Sequence, residues 1–254
     1  MPNVTASTSD GYVGQFSPTS SATSRNATTA GFSNNTLSLL YVVHAFAFGR
    51  YYLYRSILWF DLSGNDDSGG SLSGNTVTGA VLKIYNGAAV TGFFNWGVDT
   101  NDKFIVAKTD GAGDSLSTAD FNAMDNWPSS GTYEGTVEKY GEVTQAQSAW
   151  HNITLSAQAV TDINSAISSG ADDFSMMLLC EDDWTHSADL HDNGAFFEGG
   201  RFHSANNSSN KPYLELTYGA AASGYSHDVM GVSTGDISKV KGVATADIEK
   251  VIGV

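Results

Sequence analysis

The run from Tyr51 to Leu62, Tyr-Tyr-Leu-Tyr-Arg-Ser-Ile-Leu-Trp-Phe-Asp-Leu, is apolar at both alternating sets of positions. Successive side chains of an extended strand point to opposite faces, so a strand made of these residues must be covered on both sides. An open sheet with one wet face cannot hold it. By contrast, Thr76 to Tyr85 alternates cleanly, with Leu82 and Ile84 set against Val81, Lys83 and Tyr85, which suits a half-exposed strand. Two such sheets packed face to face make a sandwich.

The rest of the chain agrees. Twenty-seven glycines against four prolines, with 11% aromatic residues and many Ser, Thr and Asn, describe short strands joined by tight turns. Besides the two runs above, strands are expected at Gly11 to Phe16, Leu39 to Phe48, Lys103 to Lys108, Gly135 to Val143, Trp150 to Leu155, Phe174 to Glu181, Ala195 to His203 and Pro212 to Tyr218. The expected fold is therefore all-β, a jelly-roll sandwich of about ten strands. One helix interrupts it, from the cap Ser156 through Val160, Ile163 and Ile167 to the stop Gly170, and plugs an end of the sandwich. A second short helix is expected over Ser117 to Met124. The single cysteine, Cys180, lies in an apolar run and reads as a buried structural thiol.

The last twenty-six residues repeat with a period of eleven. Val229, Val240 and Val251 coincide in register, as do Gly231, Gly242 and Gly253, Asp236 and Asp247, and Ile237 and Ile248. A cap at Ser233 or Thr234, a first-turn Asp236, a last-turn Lys239 and a terminal Gly242 predict helices of under two turns. Helices so short need a partner surface. Val229, Val232, Ile237, Val240, Val243, Ile248 and Val251 thus read as an anchoring tail that docks on another chain or on a copy of itself. The implied division is a sandwich over 1–218, a small-residue linker over 219–228 and a docking tail over 229–254.

Arg55, Phe60-Asp61-Leu62, the strand from Val77 to Tyr85, the helix with Ile163 and Ile167, and the closing Asn210-Lys-Pro-Tyr-Leu-Glu-Leu-Thr-Tyr218 together resemble DNRLRE-type jelly-roll domains over roughly residues 8 to 218. The resemblance implies a fold like that of carbohydrate-binding modules, found in secreted and cell-surface bacterial proteins and in phage-like proteins. The eleven-residue repeat is similar to terminal segments of phage structural proteins. A jelly roll hosts many unrelated sites, so function has to come from particular residues.

A formal net charge of -15 disfavours nucleic acid and anionic membranes as partners. No apolar run is long enough to span a membrane. Residues 1 to 8 have neither a basic start nor an apolar core, so no signal peptide is expected and synthesis in a cytoplasm is. No Gly-x-Ser-x-Gly elbow, phosphate-binding loop or His-Glu-x-x-His pattern occurs, and Asp66-Asp67, Asp172-Asp173 and Asp182-Asp183 sit among turn residues. A polysaccharide-degrading enzyme is the poorest reading.

The densest polar stretch, Glu181 to Gly194, is expected to be a solvated loop. If it held a metal, Asp182, Asp183, Asp189 and Asp192 would supply oxygen ligands suited to calcium, and His186 and His191 could add nitrogen ligands for a transition metal, with calcium the better fit of the two. Trp96, Trp127 and Trp184 lie between or beside strands, where they either cap the core or stack on sugar rings. The leading expectation is a non-enzymatic virion protein, a capsid decoration, head fibre or tail-fibre component, anchored by its tail to other virion proteins. The alternative is a module, extracellular or on a cell surface, that binds a host-surface polysaccharide.

Overall fold

The computed structural model describes residues 2–87, 103–109, 115–124, 126–127, 135–144, 148–185, 196–219, 239–240 and 243–244. Twelve strands form one hydrogen-bonded antiparallel system: β1 (Asn3–Thr5), β2 (Gly11–Ser17), β3 (Phe32–Asn34), β4 (Leu39–Ala47), β5 (Arg50–Phe60), β6 (Val77–Asn86), β7 (Lys103–Lys108), β8 (Lys139–Thr144), β9 (Ala149–Thr154), β10 (Phe174–Cys180), β11 (Phe196–His203) and β12 (Tyr213–Tyr218). The fold is all-β and sandwich-like, as the sequence predicts. Among the described residues no helix is long and apolar enough to cross a membrane.

The path β1-β12-β6 carries β9 beside β6 and makes one layer, while β11-β4-β5-β10-β7-β8 makes the other. They join where β11 meets β6 through a single pair, Phe202 with Asn86. Between them lies the main core, in which Leu82, Ile84, Ile153, Leu214 and Leu216 of one layer meet Leu58, Phe60, Phe104, Val106, Met176 and Leu178 of the other. The helix α2 (Ala157–Ser169) closes one end by adding Ala159, Ile163 and Ile167 to this core. Ser156 Oγ accepts the Ala159 N–H at 3.2 Å to start it, and Gly170 stops it at φ 67°, a left-handed conformation that glycine adopts without strain.

The doubly apolar run is resolved by two coverings. On its sandwich side Leu58 and Phe60 enter the main core, and on the other Ile57 and Trp59 enter a second core with Ile105, Met177, Leu179, Met124 and Trp184. This second covering comes from the segment around the 3₁₀ turn Thr118–Asn122 and from α3 (Glu181–Thr185). Ser117 and Asp120 cap that turn reciprocally, so the short helix expected there is present in 3₁₀ form. Along one edge β5 pairs with β2 from Tyr51 to Ile57, and along the other it pairs with β4 up to Tyr54 and with β10 from Ser56. Arg55 sits at the fork.

Two expectations need correction. Glu181 to Thr185 is helical and its Asp183 and Trp184 are buried, rather than part of a solvated loop. In the tail, Lys239–Val240 pairs antiparallel with Val243–Ala244, where a helix end was expected; valine, being β-branched, favours extended backbone. The other anchoring residues, Val229, Val232, Ile237, Ile248 and Val251, lie outside the described residues. Cys180 is buried, with 2% exposure, as its apolar surroundings predict.

Candidate functional site: an aromatic sheet face

Asp183 is fully buried, and Arg55 donates to both its oxygens, from Nε at 2.7 Å and from Nη2 at 3.0 Å. Arg25, from the short helix α1 (Ser21–Arg25), brings its Nε within 3.4 Å of the same carboxylate. Burial alone would push the Asp183 carboxyl up, but Arg55, then Arg25 and His44, outweigh it and hold the group below the usual carboxylate range. Arg55 also donates to the Phe121 carbonyl at 2.6 Å and lies 4.2 Å over the Phe121 ring. Both oxygens of Asp183 are thus committed to a clamp joining β5, α1, α3 and the 3₁₀ turn, which removes it as a calcium ligand. Asp182 faces His44 at 3.5 Å, and Asp189 and Asp192 lie outside the described residues. Among the described residues no group of three or more His, Cys, Asp or Glu side chains could hold a metal.

The tryptophans divide sharply. Trp184 is 3% exposed inside the second core and offers no ring face to a sugar. Trp127 packs against the same cluster, and Trp96 lies outside the described residues. The exposed one among those described is Trp150, at 40%. Its strand is one the sequence predicts, whereas Trp96, Trp127 and Trp184, the candidates for sugar stacking, were expected in loops. The usable signal was the pattern of β9, Ala-Trp-His-Asn-Ile-Thr, in which Ile153 is an inward position and Trp150 has the opposite parity.

Strand register builds the face around it. In the outer layer β6 runs between β9 and β12 and turns Leu82 and Ile84 inward, so Val81, Lys83 and Tyr85 point outward. Tyr85 stands directly opposite Trp150, while Lys83 stands between Asn152 of β9 and Tyr213 of β12. The Trp150 ring meets Tyr85 edge-on at 5.6 Å and Tyr213 edge-on at 5.7 Å, leaning diagonally across Lys83. His203 extends the row by packing on Tyr85 at 4.9 Å, and its Nδ1 lies 3.2 Å from the Ser209 carbonyl. Lys83 Nζ approaches Glu215 Oε1 at 3.7 Å. The result is a half-exposed tryptophan wedged between two tyrosines, with an amide, an ammonium and a carboxylate in the adjoining positions.

Two other features are poorer sites. A polar groove of about 760 Å³ lies between Ser73–Thr76 and α2. Its Asn164 amide already accepts from Val77 N–H at 2.9 Å and donates to the Val77 and Val160 carbonyls, and Thr161 and Ser165 donate to carbonyls of their own helix. On the other layer Tyr12, Phe32, Tyr41 and Tyr54 interlock with one another at 4.8 to 6.3 Å. Gly14 makes that possible, because a Cβ there would collide with the Phe32 and Tyr54 rings. Burial, with the neighbouring Tyr12, Tyr52 and Tyr41, pushes the Tyr54 hydroxyl up to about 12.

No family model matches this chain, and no curated protein does.

Proposed function

We propose that this chain is a non-enzymatic sandwich module that binds a polysaccharide on the Trp150 face and is fastened to a larger assembly by its C-terminal repeat. The observation that carries the binding role is the placement of Trp150, 40% exposed in a regular strand and braced by Tyr85 and Tyr213. An indole left half in water costs about 25 cal/mol per Å² of apolar surface that could have been buried, and a sugar ring laid on it recovers part of that surface. Sugars present apolar C–H patches on one side and hydroxyls at the rim. The rim here has Asn152, Lys83 and Glu215 to meet them.

The anchoring role rests on the in-register valines and isoleucines of residues 229–254. A virion structural protein, as a capsid decoration or a head- or tail-fibre component, is the setting that joins both roles: the sandwich faces outward to a cell-surface glycan while the tail is held by the particle. The binding half is tested on a glycan array with the wild-type protein and Trp150→Ala. Retention on one or more glycans by the wild type, lost in the variant at unchanged thermal stability, supports the reading; equal retention by both proteins refutes it.

A further inference from the structure

We infer that the Trp150 face selects uncharged polysaccharides over acidic ones, with the Asn152, Lys83 and Glu215 row reading hydroxyl groups. This deepens the binding function proposed above and rests on it. Strands β6, β9 and β12 carry two charged side chains, Lys83 and Glu215, and these two lie 3.7 Å apart on the outer face. A carboxylate or sulfate on the ligand would have to compete with Glu215 for Lys83. It would also face the repulsion of the glutamate it displaced.

Several other cations of the described sandwich are already engaged away from this face. Lys103 stands 3.0 Å from Glu142, Lys139 stands 2.8 Å from the same residue, and Lys108 stands 3.2 Å from Asp162. Arg25 and Arg55 are buried on Asp183, and Arg50 lies over the Phe16 ring at 5.0 Å. Meanwhile the whole chain carries -15 and repels polyanions at a distance. Neutral hydroxyls meet none of these penalties. An ammonium donates to them, a carboxylate accepts from them, and the Asn152 amide does both, so vicinal hydroxyls can bridge the row without separating its charges.

The test is affinity electrophoresis in native gels containing neutral polymers (galactomannan, xyloglucan, mixed-linkage β-glucan, dextran) or acidic ones (alginate, polygalacturonate), using full-length wild type and Trp150→Ala. Circular dichroism and thermal melting confirm that both are folded. The expected result is retardation of the wild type by one or more neutral polymers, at least ten-fold weaker in the variant, and none by the acidic polymers. Trp150-dependent retardation by an acidic polymer overturns the selectivity while leaving the binding face in place. Absence of any Trp150-dependent retardation overturns both.

Discussion

The Arg55 guanidinium and the Asp183 carboxylate, 128 residues apart in sequence, meet in the interior through hydrogen bonds of 2.7 and 3.0 Å. Arg55 stands where the partner of β5 changes from β4 to β10, and Asp183 stands on the helix that follows β10. The pair therefore pins the chain leaving β10 back across the fork. Removing one partner strands the other charge in a medium that solvates it poorly. Asp183→Asn is expected to cost about 3–5 kcal/mol in denaturant unfolding. Replacing both residues by apolar side chains of similar volume is expected to cost less than either single change, and a strictly additive double variant would contradict the pairing.

Gly199 lies in β11 at φ 125°, and a Cβ there would collide with the Val42 carbonyl oxygen on the neighbouring strand. Gly199→Ala combines backbone strain with loss of close strand approach, and an unfolding cost above about 2 kcal/mol is expected. A variant that melts with the wild type would show that the β11–β4 register differs at this point.

Asp10 is fully buried, with Oδ2 accepting the Ala205 N–H at 2.7 Å and Oδ1 without a hydrogen-bond partner among the described residues. Burial raises its carboxyl to about 7, against the smaller opposing pulls of Ala205 N–H and Lys211. A raised carboxyl means that the folded state holds the proton while the unfolded chain has released it. Stability from this group therefore falls as pH rises from about 4 to about 7, and the loss is complete above that, reaching at most ~4 kcal/mol. Asp10→Asn keeps the acceptor for Ala205 and cannot ionise. The stability advantage of the variant over the wild type, followed by urea unfolding at intervals from pH 4 to 8, should grow across that window and then level off; a constant difference would contradict the assignment.

Truncation after Gly219 tests the anchor. The described sandwich ends just past β12, where Gly219 N–H donates to the Thr76 carbonyl beside β6 at 2.9 Å. The shortened chain should melt within a few degrees of the full one yet fail to join the assembly that the proposed anchor requires. Normal incorporation of the truncated chain would remove the role given to the repeat.

Fold class was legible because it rests on periodicity. The doubly apolar Tyr51 to Leu62 run demanded two coverings, and the Ser156 and Gly170 signals bracketed α2 correctly. Less visible were β1, β3 and α1, each five residues or fewer, whose local preferences are weak beside the tertiary contacts that hold them. Burial of Asp183 could not be read locally either, since Asp-Asp-Trp-Thr-His looks solvated until Arg55 and Arg25 arrive from distant strands and helices. For the aromatic face the residue types were in plain view. What the sequence lacks is the lateral register that sets Trp150 opposite Tyr85 and diagonal to Tyr213.

The most direct test of the binding face is isothermal titration of wild type and Trp150→Ala with a soluble polysaccharide fragment that the wild type retains on the array. Because Trp150 is held at the surface by two tyrosines, its removal should spare folding while weakening binding at least ten-fold, about 1.4 kcal/mol or more. Affinity within two-fold of the wild type would contradict the account and place glycan recognition, if any, away from this sheet.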